Sequence, residues 1–448
     1  ILMKKLLLII LIIVGNVSAY AQSQGVAYTA VGKGVATTFL TDYHCLGINN
    51  SALGWGTGVK DKRFTTGSSE FNLGIYSDSL NSEKLRQLYK AIRNDIKDEP
   101  QEPGAWDQQK QYAAEYMQSG IAIDMNFNWF GFAFQSSTFG GIAFNIQEKY
   151  DWYSRLNEET TDLIFQGKIA QYFDSLTLDY DGVTTRIGNY DGISQDSLEH
   201  VVLGSITSPL DLSEITNGSE IRMSWNRYYN FGYGRKIFGD DSTFALYGGV
   251  GGRFIQSMAM LTLESDGENV YMYSSLSPFY DIDYGAVTNI NDITQSGFIP
   301  KSVGNGYGMD LSASAIFFGS LKIAAAVNNI GSVTYTRNVY KVRDSILGDM
   351  TLDGLANYNI TNSLNQLLEE GGILSLQGQE EYVVKNPATV RLGASISFGK
   401  IANVGIDFVA PFNSDNPGSL VNSVYSVGGD IKIRPWLVLS AGYYGGGI

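Results

Sequence analysis

The chain has 448 residues, 44% hydrophobic and 17% charged, with 22 Phe and 28 Tyr, which is too aromatic for a disordered chain. Its formal charge of -14 leaves nothing to neutralise phosphates, so no nucleic acid is expected as a partner. One cysteine, Cys45, and two histidines, His44 and His200, exclude an internal disulfide framework and argue against a metal centre built from such ligands.

Lys4 and Lys5 precede an apolar run from Leu6 to Val14, followed by Ala19-Tyr20-Ala21. That order reads as a cleavable signal peptide over 1–21, too short to span a bilayer as a helix. Ile1 and Leu2 read as translated sequence upstream of Met3, and Gln22 starts the expected mature chain without a cysteine for a lipid anchor. Residues 22–63 are rich in Gly, Ala and Thr and hold no sustained period.

From residue 64 to 448 the apolar residues alternate in segment after segment. The pattern predicts strands at 64–77, 119–136, 139–153, 219–238, 243–264, 307–318, 321–335, 388–398, 401–410, 424–433 and 436–444. In one of them Ile121, Ile123, Met125 and Phe127 share a face, against Ala122, Asp124, Asn126 and Asn128. In another Val390, Leu392, Ala394, Ile396 and Phe398 oppose Arg391, Gly393, Ser395 and Ser397. Arg227 breaks the rule by falling on the apolar face of 219–238, which suits a bulge or a position level with a membrane interface.

Short and long connections take turns. The tight ones are Ser137-Thr138, Gly239–Ser242, Gly319-Ser320, Gly399-Lys400 and Arg434-Pro435; the long ones are 78–118, 154–218, 265–306, 336–387 and 411–423. That rhythm is the one expected of an up-and-down barrel in an outer membrane, with short periplasmic turns and long outer loops. A soluble two-sheet sandwich is the alternative, in which Phe144, Ile396 and Phe408 would interleave in a dry interior. Helical spacing inside the loops falls at 79–97 (Leu85, Leu88, Tyr89, Ile92) and at 157–176 (Leu163, Ile164, Ile169). Tyr150, Trp152, Tyr153, Trp436, Tyr443 and Tyr444 gather near strand ends, where aromatic rings mark membrane interfaces.

Chemistry-bearing motifs are scarce. Gly32 and Gly34 in "VGKGVATTF" lack the third glycine and preceding strand of a dinucleotide site. No nucleophile elbow occurs, and nothing in the spacing pairs either histidine with a serine. The Asp-Gly steps in 178–182, 189–192 and 349–354 read as turns before calcium loops, since none has the EF-hand glutamate. Expected, then, are no catalytic residues, no metal and no cofactor. The glycines of "YGGVGGRF", 247–254, read as curvature or close-packing points in a wall.

The stretch "AVGKGVATTFLTDYHCLGINNSALGW", 30–55, resembles the start of fatty-acid-transporter-like outer-membrane barrels. There, a Gly- and Ala-rich piece plugs the lumen and ends in Asn-Pro-Ala; here Asn49, Asn50, Ser51 and Ala52 stand at the motif, with a residue inserted and the proline absent. "DLSASAIFFGSLKIAAAVNNIG", 310–331, and 387–412 resemble later hairpins of the same family. The whole pattern is most similar to a Bacteroidota branch catalogued only as a domain of unknown function. The resemblance implies an all-β, antiparallel up-and-down transmembrane barrel of about 12–14 strands in the cell outer membrane, with an N-terminal plug over 22–63 and helical outer loops. Because the chain stops at "YYGGGI" without the family's terminal aromatic, at least one closing strand is expected to be missing and the C-terminus truncated.

The function implied is passive uptake of a hydrophobic or amphipathic small molecule, with Asn49, Asn50, Ser51, Ala52 and Trp55 as the ligand or plug gate. Outer-membrane lipid is the surrounding partner. The alternative is a non-catalytic docking partner of an envelope complex such as a secretion machine. A loop-borne surface enzyme or adhesin is a third class, which would need a convergent cluster of titratable groups in 154–218.

Overall fold

Alternation carries through to the structure, and it answers the question of what the apolar faces touch. The computed structural model describes residues 33–55, 64–77, 79, 86, 112, 114–282, 284, 287, 289, 291–294, 297–354, 374–399, 401–434 and 437–447. The expected signal peptide over 1–21 and most of the helix expected at 79–97 lie outside the described residues, as do Lys400, Pro435 and Trp436.

The strands are β1 (Phe64–Tyr76), β2 (Ile121–Ser136), β3 (Gly140–Arg155), β4 (Ser175–Tyr180), β5 (Val183–Gly188), β6 (Val201–Ser205), β7 (Glu220–Asp240), β8 (Phe244–Ser265) and β9 (Val270–Leu276). They continue with β10 (Gly304–Phe317), β11 (Leu321–Tyr335), β12 (Val339–Arg343), β13 (Ser375–Gly378), β14 (Tyr382–Lys385), β15 (Thr389–Phe398), β16 (Ala402–Pro411), β17 (Val424–Arg434) and β18 (Leu437–Gly446). Eleven of these form one antiparallel wall in the order β1-β2-β3-β7-β8-β10-β11-β15-β16-β17-β18. They are the eleven segments that alternation predicts, each joined to the next in sequence order as an up-and-down meander. The resemblance implied more strands; the wall holds eleven among the described residues.

The wall is inside out relative to a water-soluble domain. On the outward face, Phe231, Ile406, Ile396 and Phe408 are 57%, 58%, 41% and 40% exposed. Inward, Asp124, Asn126, Asn128, Asn145, Asp310, Arg391 and Asp407 are buried. A soluble sandwich places these two sets the other way round, because burying charge and exposing Phe both cost free energy. Phe144, which the sandwich reading would bury, lies on the outer surface between Phe132 and Phe231. The sandwich is excluded, and the outer faces belong against acyl chains.

The wall curls. Gly418, between β16 and β17, sits against Asp151 of β3, and Val421 packs on Tyr76, Ala122 and Tyr153 from β1, β2 and β3. Among the described residues β1 pairs only with β2, and β18 only with β17, so the cylinder has two open edges. Tight turns lie at one end; in the three-residue connection between β10 and β11, Phe318 and Gly319 both take positive φ, 52° and 63°, and Ser320 N–H closes the turn on Phe317 O at 3.0 Å.

The other end carries a folded layer richer in strand than expected. The helix predicted over 157–176 is real only as α1 (Glu158–Gln166), capped by the Asn157 side chain, which accepts from Thr160 N–H. It stops at Gly167, whose φ of 58° ends the helical path. The chain then builds a three-stranded sheet, β5-β4-β6, with the short helices α2 (Gln195–Glu199) and α3 (Leu212–Ile215) beside it. Leu163, Phe173, Leu176, Ile215 and Met350 form its core. β9, β12 and β13 extend the wall upward: β8 pairs with β10 up to Ser257 and with β9 from Ala259 on.

Candidate functional site: the plug and its socket

Residues 33–55 lie in the lumen at the turn end, shaped by two single 3-10 turns, Tyr43–Cys45 and Asn50–Gly54. Leu40, Tyr43, Cys45, Leu46, Ile48 and Leu53 make an apolar core with Ala133, Ala143, Tyr247 and Ile316 of the wall. So short a piece has no core of its own; it borrows one from the barrel.

Every wall strand touches this piece. On β1, β2, β3, β7 and β8 the contact is a glycine: Gly67, Gly131, Gly141, Gly234 and Gly249. On β15, β17 and β18 it is Gly393, Gly428 and Gly442. A Cβ at any of these would stand under 3.0 Å from a plug atom. The close-packing reading of "YGGVGGRF" is therefore the right one at Gly249, where the neighbour is the Asn50–Ser51 main chain. The remaining strands, β10, β11 and β16, hold the plug by hydrogen bonds. Ser312 Oγ accepts Ser51 N–H at 2.8 Å, and Asn328 Nδ2 donates to Ile48 O at 3.1 Å. Asp407 Oδ2 accepts the Ala36 and Thr37 N–H groups at 2.7 and 2.8 Å. Gln135 Nε2 donates to Thr41 O and Leu53 O, both at 3.0 Å. Lumen side chains thus satisfy main-chain groups that would otherwise be buried and unpaired.

The five residues singled out from sequence come together here. Asn49 Nδ2 donates to Thr37 O at 2.8 Å and its Oδ1 accepts from Ser51 Oγ, which tightens the loop. Asn50 is buried against Gly249 and Gly251, with neither side-chain atom hydrogen-bonded. Ala52 is buried in the apolar core. Trp55 Nε1 donates to Ser314 Oγ at 2.7 Å, and Lys322 Nζ lies 4.5 Å above its ring. Sequence reasoning missed the wall's half of the socket. Asp407 and Gln135 stand out only as polar residues on an inward face, and that face is known once the sheet is.

A second tie involves His44. Its Nδ1 lies 2.5 Å from Asp42 Oδ1 and its Nε2 2.9 Å from Glu70 Oε1 on β1. Both nitrogens donate only when the ring carries its second proton. Tyr43 OH and Asn128 Nδ2 also donate to Glu70, at 2.7 and 2.8 Å. Burial opposes charge on His44, but Asp42 and then Glu70 outweigh it, and the pKa is raised. A raised folded-state value contributes stability in full below about 6.5 and loses it as pH rises through the folded value. The expected result is looser seating of the plug at alkaline pH, read as faster labelling of Cys45 relative to the unfolded chain. Glu70→Gln should flatten that dependence; an identical pH profile in the variant would contradict it.

Above the plug the lumen is polar. A cavity of about 80 Å³ is lined by Gly47, Asp124, Lys149, Arg253, Asn328 and Arg391. Lys149 pairs with Asp151 at 2.6 Å and Asp124 at 3.3 Å, and Arg253 with Asp310 at 2.6 Å. On the outer wall lies a different space, an apolar groove of about 820 Å³ across β10 to β18. Its floor is Ala313, Ala315, Ala325 and Ala394, its rims Ile406, Phe408, Tyr425 and Tyr443, and Ser314 and Asp407 also line it. The same two residues hold the plug from inside.

The family model described as "Family of unknown function (DUF5723)" matches residues 193–445. The chain belongs to that family. No curated protein matches this family member in sequence. Among solved structures, the CymD monoaromatic hydrocarbon channel is similar at TM-score 0.35 and 10% identity, over 95% of this chain and 93% of that one. The Pseudomonas putida toluene transporter TodX is similar at TM-score 0.25 and 8% identity, over 73% and 68%. The fold rests on the strand pairing and the two faces of the wall described above.

The remaining motifs have local structural uses. Asp179 Oδ1 accepts Gly182 N–H in the β4–β5 turn, and Lys168 pairs with Asp353 at 2.8 Å. His200 stacks on Tyr180 and its Nδ1 faces Asp196 O at 2.7 Å.

Proposed function

We propose that the protein is a fatty-acid-transporter-like barrel of the cell outer membrane that takes up hydrophobic or amphipathic small molecules, with the plug around Asn49, Asn50, Ser51, Ala52 and Trp55 as its gate. One observation supports this most: the apolar groove in the membrane-facing wall has a size suited to a small ligand and is lined by Ser314 and Asp407, which anchor the plug. A ligand in the groove has a direct mechanical route to the gate. The test is saturable binding of a fluorescent medium-chain fatty acid to the full chain in detergent, compared with Ala394→Phe, which fills the groove floor. Binding should weaken about tenfold or more, a loss of about 1.4 kcal/mol or more. Equal binding by a variant that keeps its heat-modifiable gel mobility would sink the reading.

A second reading, docking partner of an envelope complex, draws support from the filled lumen and from the packed core of the loop layer. It predicts co-purification of a larger assembly in mild detergent.

A further inference from the structure

The outward face of β3 changes its neighbour part-way along. From the turn end, Ile142 is exposed and Phe144 is half-buried only among side chains of its own sheet, Phe132 and Phe231; beyond Glu148, Tyr150 and Trp152 pack on the cluster that holds Leu276 and Met272 of β9, with Tyr280 and Ile282. β7 does the same: Phe231 is bare, while Met223 and Ile221 lie under the same cover. The change falls at one polar cluster fed by three strands. Glu148 Oε2 accepts from Trp129 Nε1 of β2 at 2.9 Å and from Arg227 Nη2 of β7 at 3.0 Å. Glu148 Oε1 accepts from Trp225 Nε1 at 2.8 Å. Beside it Tyr229 OH donates to Gln256 Oε1 at 3.0 Å.

The backbone is shaped for this. The β2–β3 register slips between Asn128 and Phe130, which leaves Trp129 as the unpaired residue, and the β7–β8 register slips between Trp225 and Asn226. Bulges of this kind re-aim side chains, and here both irregularities flank one carboxylate. An ion pair and two indole N–H groups on a lipid-facing surface are unfavourable in hydrocarbon and favourable at its edge. The level is right as well. Eight residues separate Gly140 from Glu148, roughly 26 Å along a strand and so about 20 Å of height at barrel tilt, close to the outer apolar band of such walls. Along β2 and β1 the bare face runs on to Met125 and Ile75, as a level band crossing tilted strands requires.

We propose that the Glu148–Arg227–Trp129–Trp225 cluster is a membrane-boundary site that seats in the lipid headgroup layer on the loop side. The partner is a lipid headgroup surface. The upper ends of β3, β7 and β8, with β9, β12 and β13, then stand clear of the bilayer as a protein-covered extension.

The test is depth-resolved quenching in the full chain, reconstituted in phosphatidylcholine vesicles brominated at either the 6,7 or the 11,12 acyl positions. Variants keep one tryptophan each, Trp129 or Trp152, with the others changed to Phe. Trp129 should be quenched at least twofold more by the shallow bromines than by the deep ones, and Trp152 by neither. Strongest quenching of Trp129 by the deep bromines, or equal quenching of Trp152, would overturn the proposal. Should these variants fail to fold, spin labels at Ile142→Cys and, on the exposed side of β9, Tyr271→Cys in a Cys45→Ser background replace them. Oxygen should then reach the first label preferentially and a water-soluble nickel chelate the second; the reverse order would overturn the proposal equally.

Discussion

Replacing Gly249 with valine is expected to unseat the plug. A Cβ there falls on the Asn50–Ser51 main chain, which is itself held by Ser312 and cannot swing aside as a flexible side chain would. Overpacking costs about 1–3 kcal/mol, and backbone that cannot yield puts this site at the upper end, which favours an empty socket over a strained one. Cys45 reports the outcome without engineering. It is fully buried, and burial pushes its thiol pKa well above the ordinary value, so a maleimide should scarcely touch it in the native barrel. In Gly249→Val it should label nearly to completion while the barrel keeps its heat-modifiable mobility. Gly188→Val is the control, since nothing lies within 4 Å of that site, and it should change stability by less than about 0.5 kcal/mol. Unchanged labelling in Gly249→Val would show that the socket yields and that the glycines are not what fixes the plug.

Asp407→Ala should be the most damaging single change of a charged group. The carboxylate accepts two plug N–H groups and is the foremost opposite charge acting on the buried Arg391. Its loss orphans two donors and leaves a guanidinium short of its main countercharge, a change worth about 3–5 kcal/mol. Chemical unfolding midpoints in detergent measure it. Asp407→Asn should fall between, because the amide oxygen still accepts while the charge is gone. Combining Asp407→Ala with Arg391→Met should cost less than Asp407→Ala alone, since the stranded charge goes too. If the double variant is the worse of the two, the electrostatic part of this account fails.

The wall was readable in the sequence because a membrane barrel writes its two faces in alternate residues, and all eleven wall strands follow from that period alone. The segment that packs inside the wall is marked in the sequence by the motif around Asn49 and Ala52, and its use as a gate belongs to the proposal. Other features needed the pairing of strands. Arg227 looks misplaced until Glu148 is found on the neighbouring strand, and Tyr150 and Trp152 look like membrane anchors until β9 and residues 280–282 are laid over them. The small sheet β5-β4-β6 was missed because five or six residues of alternation do not rise above the helical spacing of Leu163 and Ile164 beside them. Glycines were legible as a class but not by role. What a missing Cβ makes room for is decided by a segment hundreds of residues away, as with Gly428 and Lys33.

The wall is also lopsided: β7 and β8 run to 21 and 22 residues, while β15, β16, β17 and β18 have only 10 or 11. Among the described residues β7 and β8 carry the added strands β9, β12 and β13 beyond the wall, while β15 to β18 end lower. The groove runs from β10 onto these shorter strands. Under the uptake proposed above, a solute would approach that groove from the surrounding lipid.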